Sequence, residues 1–215
     1  MKARIAEVFQ SIQGEGVYLG KQQIFIRFYG CNLNRCGFCD TQLNSFKEYT
    51  ADYLCEYLKS GFPSLRSVAL TGGEPLVQKD FLIEFLPLVK QADFQTYLET
   101  NATLPEALEA ILDYIDVIAM DFKFPSSTGL GDFWPEHEAF LRLAARRQAL
   151  IKAVICKTTE LVDLEKAVQI IAKLHQSIPF ILQPNSFEAD LLLMDKIQEF
   201  RDFSLEFLSD VRIVP

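Results

Sequence analysis

Short apolar runs alternate with longer amphipathic stretches along most of the 215-residue chain. The short runs are rich in β-branched and aromatic residues, which predicts strands. The predicted strands are residues 24–29, 67–70, 94–99, 116–121, 150–155, 179–183 and 211–214. Between them, apolar residues recur every three or four positions, which predicts amphipathic helices. The predicted helices are residues 51–59, 79–90, 105–112, 136–146 and 161–175.

The alternation of strands and helices favours parallel strands joined by right-handed crossovers. About six such βα units are visible, whereas a closed eight-unit barrel typically needs about 250 residues. We therefore predict an α/β fold, a partial (β/α)6 barrel, forming a single domain over residues 1–215. The connection at residues 124–132 is long and contains glycines, which predicts a mobile segment over a site. A plain surface connection is the alternative.

Composition narrows the class of protein. Hydrophobic residues make up 49% and charged residues 23% of the chain, as in ordinary globular proteins. The net charge of −8 argues against a surface that binds nucleic acid. The first residues lack the apolar run of a signal peptide. The sequence also contains no stretch of about 20 apolar residues, so no membrane span is predicted. We expect a cytoplasmic protein, in which Cys55 and Cys156 are buried thiols rather than disulfide partners.

The other three cysteines, Cys31, Cys36 and Cys39, lie close together in the segment 30–41. A structural zinc site takes four ligands, and an electron-transfer iron–sulfur cluster usually takes four cysteines. Three ligands leave one metal position open to a small molecule. We interpret the segment as the loop that holds a 4Fe–4S cluster with one open iron. A zinc site completed by a distant cysteine or histidine is the alternative.

Polar residues follow four of the predicted strands. They lie at residues 71–75, 99–101, 121–123 and 183–185. The carboxyl ends of parallel strands meet at one edge of a sheet, so these residues are expected to line one pocket. Gly72 and Gly73 would let the backbone approach a ligand closely, for instance the ammonium group of an amino acid. A simple turn is the alternative for the two glycines.

The cysteine loop together with Gly-Gly-Glu-Pro at residues 72–75 resembles the radical S-adenosylmethionine (SAM) superfamily. Within it, the residues at four further places are similar to those of the 7-carboxy-7-deazaguanine synthase family. These places are residues 11–16, 25–28, 30–33 and 39–41. One departure is visible, because four residues rather than the usual three separate Cys31 from Cys36.

The resemblance implies a radical SAM lyase. A reduced 4Fe–4S cluster cleaves SAM, and the resulting radical converts 6-carboxy-5,6,7,8-tetrahydropterin to 7-carboxy-7-deazaguanine with loss of ammonia, toward queuosine and related deazapurines. The resemblance also implies SAM as a regenerated cofactor, Mg²⁺, an electron donor such as flavodoxin, and a homodimer. A glycyl-radical-enzyme activase with the same cluster loop is the nearest alternative. A non-catalytic iron–sulfur or zinc module is another.

The resemblance also implies residue roles. Contacts with SAM are expected from Phe38, Gly73, Glu74, Asp121, Lys123, Gln183 and Asn185. Contacts with substrate are expected from Ile12, Gln13, Gly14, Glu15, Arg27, Thr71 and, if it is the natural end, the carboxylate of Pro215. Thr41 is the expected Mg²⁺ ligand, with Asp40 as a competing candidate.

Two of these roles have an independent physical argument, and a third has a structural alternative. Strand alternation separates Arg27 from its apolar neighbours, and an unpaired guanidinium inside a barrel would be costly. A substrate carboxylate would pair with it, although a surface arginine remains possible. The carboxylate of Glu15 could accept from neighbouring N–H donors of a pterin, although a solvated turn is the alternative. Asp121 could instead form a structural salt bridge with Lys123.

Overall fold

The strands of the computed structural model, which describes residues 1–14, 18–33, 35–39, 41 and 44–214, form one sheet. They are β1 (Lys2–Ile12), β2 (Gln22–Phe28), β3 (Lys47–Thr50), β4 (Ser67–Gly72), β5 (Gln95–Thr100), β6 (Val117–Asp121), β7 (Gln148–Ile155), β8 (Phe180–Pro184) and β9 (Val211–Ile213). Their order across the sheet is β3-β1-β2-β4-β5-β6-β7-β8-β9.

Helices connect successive strands of this sheet. They are α1 (Ala51–Gly61), α2 (Lys79–Gln91), α3 (Pro105–Ile111), α4 (Pro125–Thr128), α5 (Trp134–Ala144), α6 (Leu161–His175) and α7 (Leu191–Leu205). Short 3₁₀ helices cover Pro75–Gln78 and Leu112–Tyr114. Within the described residues, no helix combines the length and the apolarity that a bilayer crossing requires.

The predicted α/β class is confirmed, with parallel pairing at every step from β2 to β9. The sequence pattern did not predict β1, β3, α4 or α7. Strand β1 pairs antiparallel with both β2 and β3, and few of its side chains are buried. Helix α7 carries exposed apolar residues, Leu191 and Leu192, which blur its amphipathic stripe. Both elements therefore give a weak periodic signal.

Alternation along the strands divides the core between the two faces of the sheet. The larger cluster packs strand residues such as Ile26 and Leu70 against helix residues such as Phe85. The smaller cluster lies on the other face and includes Phe25 and Tyr97. Each large apolar side chain buried in this way contributes about 1.5–3 kcal/mol. The helices thus cover one face, and the other is left for a site.

The sheet curls around its helix-free face. Neighbouring strands lie about 4.8 Å apart, so β1 and β8, which are six strand spacings apart, would be about 29 Å apart in a flat sheet. Residues of β1, β2 and β4–β8 nevertheless line a single cavity. The sheet must therefore curve around that cavity, as a partial barrel does.

Candidate active site

One cavity of about 460 Å³ lies where the parallel strands end. Every predicted site residue that the structure describes lines it, with the exception of Glu74. Those lining residues are Ile12, Gln13, Gly14, Arg27, Cys31, Cys36, Phe38, Cys39, Thr41, Thr71, Gly73, Asp121, Lys123, Gln183 and Asn185. The prediction that the strand ends and the cysteine loop surround one pocket is therefore confirmed.

Three predicted residues lie outside the described part of the chain. They are Glu15, Pro215 and the competing Mg²⁺ ligand Asp40. Their roles stay predictions.

The two glycines at the end of β4, Gly72 and Gly73, lie directly on the segment that leads into Cys31. A Cβ atom on Gly73 would lie 2.0 Å from the carbonyl oxygen of Gly30, and one on Gly72 would lie 2.4 Å from that of Phe28. Gly72 also has a positive φ of 117°. The amide of Gly73 donates to Phe28 O at 3.0 Å. The close approach that we predicted toward a ligand is thus made to the chain's own backbone, which positions the cysteine loop.

Glu74 is fully buried beside this junction and does not line the cavity. Its carboxylate accepts hydrogen bonds from Leu76 N (3.1 Å), Thr100 Oγ1 (2.9 Å) and Asn101 N (2.7 Å). Burial raises the pKa of Glu74 to about 7, although these donors and Lys123 act in the opposite direction. The predicted contact of this side chain with SAM is replaced by a positioning role that joins the ends of β4 and β5.

The three cysteines form no disulfide, and their side chains lie on one wall of the cavity. Burial raises the pKa of the Cys36 thiol, so a metal must displace its proton on binding. Among the described residues, no three His, Cys, Asp or Glu side chains are grouped as ligands of a single ion. The described lining also contains no histidine and no fourth cysteine. This set fits a cluster, in which each thiolate binds a different iron, better than it fits zinc.

The segment after β6 supports the cysteine loop from outside the cavity. The amide of Gly37 donates to Thr128 O at 2.8 Å, at the end of α4. Ser126 bonds to Asp163 through both its amide and its hydroxyl, and Ser127 bonds to Thr159. The prediction that segment 124–132 lies over the site is therefore wrong, because none of these residues lines the cavity. Helix α4 instead bonds to the surrounding loops.

Two lysines and one aspartate form the cationic part of the wall. Lys123 Nζ lies 2.7 Å and Lys152 Nζ lies 3.7 Å from Asp121 Oδ2. Burial alone would raise the pKa of Asp121, but Lys123 and Lys152 hold it below its usual value. Lys123 Nζ also lies 5.1 Å from the centre of the Phe38 ring. The salt bridge considered for Asp121 is present, and the sequence did not predict Lys152.

Arg27 faces the cavity as strand alternation predicts, but it has a protein partner. Its Nε lies 3.2 Å from Glu7 Oε2 on the neighbouring strand, and its guanidinium lies 5.6 Å from the centre of the Phe9 ring. Glu7 is exposed, so solvent weakens this pair. Glu7 thus supplies a carboxylate partner that the sequence argument sought from the substrate, and the placement of Arg27 on the cavity wall is confirmed.

Glu99, which was predicted to line the pocket without an assigned contact, joins two predicted substrate contacts. Gln13 Nε2 donates to Glu99 Oε1 at 2.7 Å, and Thr71 Oγ1 donates to Glu99 Oε2 at 2.6 Å. All three line the cavity. Their only signal in the sequence is position, since Thr71 and Glu99 lie near strand ends.

The side chain of Asn185, directly after β8, forms contacts within the turn that follows this strand. Its amide nitrogen lies 3.6 Å from Cys156 Sγ, and its oxygen accepts from Phe187 N at 3.2 Å. Asn185 also lines the cavity, and so does Gln183. The side chain of Asn185 shapes this wall by fixing the turn after β8.

His137 lies behind the cavity wall, fully buried on α5. Its ring stacks on Phe122 with ring centres 4.6 Å apart, and its Nε2 lies 3.3 Å from Asn101 O and 3.4 Å from Lys123 N. Burial lowers the pKa of His137 to about 4. The imidazole is therefore neutral at neutral pH and links the residues that follow β5 and β6.

Acid should destabilise the protein through His137. Its pKa falls from 6.5 to about 4 on folding, so between these values only the unfolded chain binds the proton. Stability is therefore lost as the pH falls from 6.5 toward 4. Relative to His137→Phe, which keeps the ring stack, the unmodified protein should lose about 2 kcal/mol of unfolding free energy between pH 7 and pH 5. Urea titrations at both pH values measure this, and parallel losses in the two proteins would contradict it.

Comparison with known proteins agrees with this geometry. A profile of the radical SAM superfamily matches residues 25–155. A 7-carboxy-7-deazaguanine synthase of Geobacter sulfurreducens is 37% identical over 99% of this chain and 94% of its own length. The chain belongs to the 7-carboxy-7-deazaguanine synthase family. A second member of this synthase family, from Archaeoglobus fulgidus, is 33% identical over 100% of this chain and 96% of its own length.

The fold agrees with a solved structure described as QueE from Escherichia coli. The TM-score is 0.70 at 20% identity, and the match covers 99% of this chain and 92% of that one. At this identity the match shows the fold alone. Membership of the synthase family carries with it the 4Fe–4S cluster and SAM of the radical SAM superfamily.

Proposed function

We propose that this chain converts 6-carboxy-5,6,7,8-tetrahydropterin to 7-carboxy-7-deazaguanine, with loss of ammonia, as a radical SAM lyase. The observation that carries the proposal is one cavity that combines three cysteines with the cations Arg27, Lys123 and Lys152. When bound, the cluster supplies the electron that cleaves SAM and so generates the radical that takes hydrogen from the substrate. The chain's own residues bind, orient and enclose the two molecules.

Cys31, Cys36 and Cys39 are the proposed ligands of three irons. The described lining offers no fourth cysteine or histidine, which supports an iron left open to the amino-acid end of SAM. Gly73, Lys123, Phe38, Asp121, Gln183 and Asn185 are the proposed surroundings of SAM. Lys123, whose Nζ lies 2.7 Å from Asp121 Oδ2, is the proposed cation that attracts the carboxylate of SAM.

The proposed substrate subsite lies between β1, β2, β4 and β5. Arg27 would attract the substrate carboxylate, which competes with the exposed Glu7 for the guanidinium. The linked group Gln13, Thr71 and Glu99 presents oxygen acceptors to the N–H groups of the pterin. Ile12, Gly14, Glu15 and Pro215 complete the proposed contacts.

Two assays after anaerobic reconstitution of the cluster test this function. SAM cleavage under strong reductant separates an enzyme from a non-catalytic module. Supplying the tetrahydropterin and measuring the ultraviolet absorbance of the product then separates a synthase from a glycyl-radical-enzyme activase. A protein that holds four irons, cleaves SAM and leaves the pterin unchanged would contradict the proposed substrate.

We propose that Mg²⁺ binds at Thr41 only together with the substrate. A neutral hydroxyl is a weak Mg²⁺ ligand, so charged oxygens of the substrate must complete the site. Thr41 lies on the cavity wall, within reach of the same space. Titration calorimetry of the reconstituted protein should show at least tenfold tighter Mg²⁺ binding with the pterin present, and Thr41→Val should remove the difference. Tight binding without substrate would contradict the proposal.

We also propose a flavodoxin as electron donor, a homodimer in solution and a cytoplasmic location. The family resemblance supports the first two, and the absence of a signal-peptide pattern in the first residues supports the third. Sedimentation analysis of the reconstituted protein tests the dimer, and SAM cleavage driven by reduced flavodoxin tests the donor.

A further inference from the structure

A closed ring of hydrogen bonds joins the start of the cysteine loop to the turn after β5. Asn101 Nδ2 donates to Asn32 Oδ1 at 2.8 Å, and Asn32 Nδ2 donates to Thr103 Oγ1 at 2.8 Å. Thr103 Oγ1 donates in turn to Asn101 Oδ1 at 2.6 Å. Each of the three side chains both donates and accepts, so the bonds polarise and strengthen one another.

Asn101 directs the remaining hydrogen of its amide toward Cys31. The distance between Asn101 Nδ2 and Cys31 Sγ is 3.8 Å. Asn101 Oδ1 also accepts from the backbone N–H of Thr103 at 3.1 Å. A backbone N–H can only donate, so the oxygen and nitrogen of this amide cannot exchange places. The atom that faces the sulfur is therefore a hydrogen-bond donor.

The backbone of Asn101 is held independently of this side chain. Its amide donates to the buried carboxylate of Glu74, and its carbonyl oxygen lies 3.3 Å from His137 Nε2. Substitution of the side chain would leave both anchors in place. Asn101 is also buried, so water does not compete strongly for the amide.

We infer that Asn101 raises the reduction potential of the cluster by donating an N–H···S hydrogen bond to Cys31. The inference rests on the proposed role of Cys31 as a cluster ligand. Reduction adds negative charge to the cluster and its sulfurs, so a donor at the sulfur stabilises the reduced form more than the oxidised form. Asn101 acts through Cys31 and is in that sense a positioning residue.

A matched pair of neutral variants tests the inference. Asn101→Leu removes the donor at the sulfur and also opens the ring, whereas Thr103→Val opens the ring but keeps the donor. Each protein is reconstituted, its iron is counted, and its midpoint potential is measured by a redox titration followed by electron paramagnetic resonance. Asn101→Leu should lower the equilibrium constant for reduction about tenfold, which corresponds to about 59 mV for one electron. Thr103→Val should stay close to the unmodified protein, and equal potentials in the two variants would overturn the inference.

A second pair decides the matter if Asn101→Leu does not hold four irons. Asn101→Asp and Asn32→Asp each add one negative charge beside Cys31, but only the first removes the donor at the sulfur. We expect the lower potential for Asn101→Asp, and equal potentials would overturn the inference. If iron is lost from the two Asn101 variants but not from Thr103→Val and Asn32→Asp, the contact between Asn101 and Cys31 is supported. If Thr103→Val and Asn32→Asp lose iron as well, the inference is overturned. An unmodified protein that holds four irons but does not cleave SAM would contradict the proposed function. The inference about Asn101 would still be testable in that case, because the midpoint potentials can be measured without SAM cleavage.

Discussion

Cys36→Ala should give a folded protein that no longer holds four irons and no longer cleaves SAM. Cys36 is the most buried of the three cysteines on the cavity wall, with 9% of its surface exposed. Loss of a residue that merely supports a metal ligand typically costs 10- to 100-fold in activity or affinity. Loss of a ligand itself should therefore reduce SAM cleavage by at least about 100-fold. Iron content per chain and 5′-deoxyadenosine formation after anaerobic reconstitution measure both effects.

Cys55→Ala is the matched control for this substitution. Cys55 is also buried, on α1, but it is absent from the cavity lining. Both substitutions remove one sulfur atom from a packed environment, at a similar cost of about 1 kcal/mol in stability. Cys55→Ala should keep its iron and its activity. Full iron content in Cys36→Ala, or equal losses in the two variants, would contradict the proposed ligand set.

Gly73→Ala should destabilise the protein by at least about 3 kcal/mol, because the added carbon meets a backbone atom that cannot move alone. The Cβ would lie 2.0 Å from Gly30 O, directly before Cys31. Relief of this clash requires the end of β4 to separate from the segment after β2, where Gly73 and Glu74 both donate hydrogen bonds. The loss should appear in urea unfolding of the iron-free protein, so that metal binding does not affect the comparison.

Gly131→Ala provides the control for Gly73→Ala. A Cβ on Gly131 would have no atom within 4 Å, and its φ lies outside the left-handed region. The same chemical change should therefore leave the free energy of unfolding within about 0.5 kcal/mol of the original. Equal stability of Gly73→Ala and Gly131→Ala would show that the packing of β4 against the cysteine loop is looser than the distances indicate.

The sequence predicted the features whose signal is local. Strand β6 is a continuous apolar run up to Asp121, β7 is an apolar run interrupted only by Lys152 after its first residue, and α6 has a clear three-to-four residue repeat. Their positions therefore follow from the pattern. The cysteine loop and the Gly-Gly-Glu-Pro segment are short motifs with a restricted chemistry. Strand β1 gives a weaker signal, because Lys2, Arg4 and Glu7 interrupt its apolar residues.

One site residue, Lys152, and the contacts of Glu99 were missed because they depend on which strand positions are adjacent. Lys152 reaches Asp121 because β6 and β7 pair these two residues directly. Glu99 reaches Thr71 and Gln13 because β5 lies beside β4 and the barrel curls toward the residues that follow β1. The sequence of one strand does not determine which residues of a distant strand lie beside it, so this pairing register could not be predicted. The hydrogen-bond donors to Glu74 likewise could not be predicted, because two of them, Thr100 and Asn101, come from a different strand end.

Backbone hydrogen bonds and the closely packed glycines Gly72 and Gly73 hold the cysteine loop in place. These contacts are made by the protein itself rather than by the metal. Small zinc domains fold only when their ion arrives, whereas the large apolar core of this chain includes none of the three loop cysteines. We therefore expect iron to be added to a chain that has already folded. Oxygen damage that strips the iron should thus leave a polypeptide that a cell can refill rather than degrade.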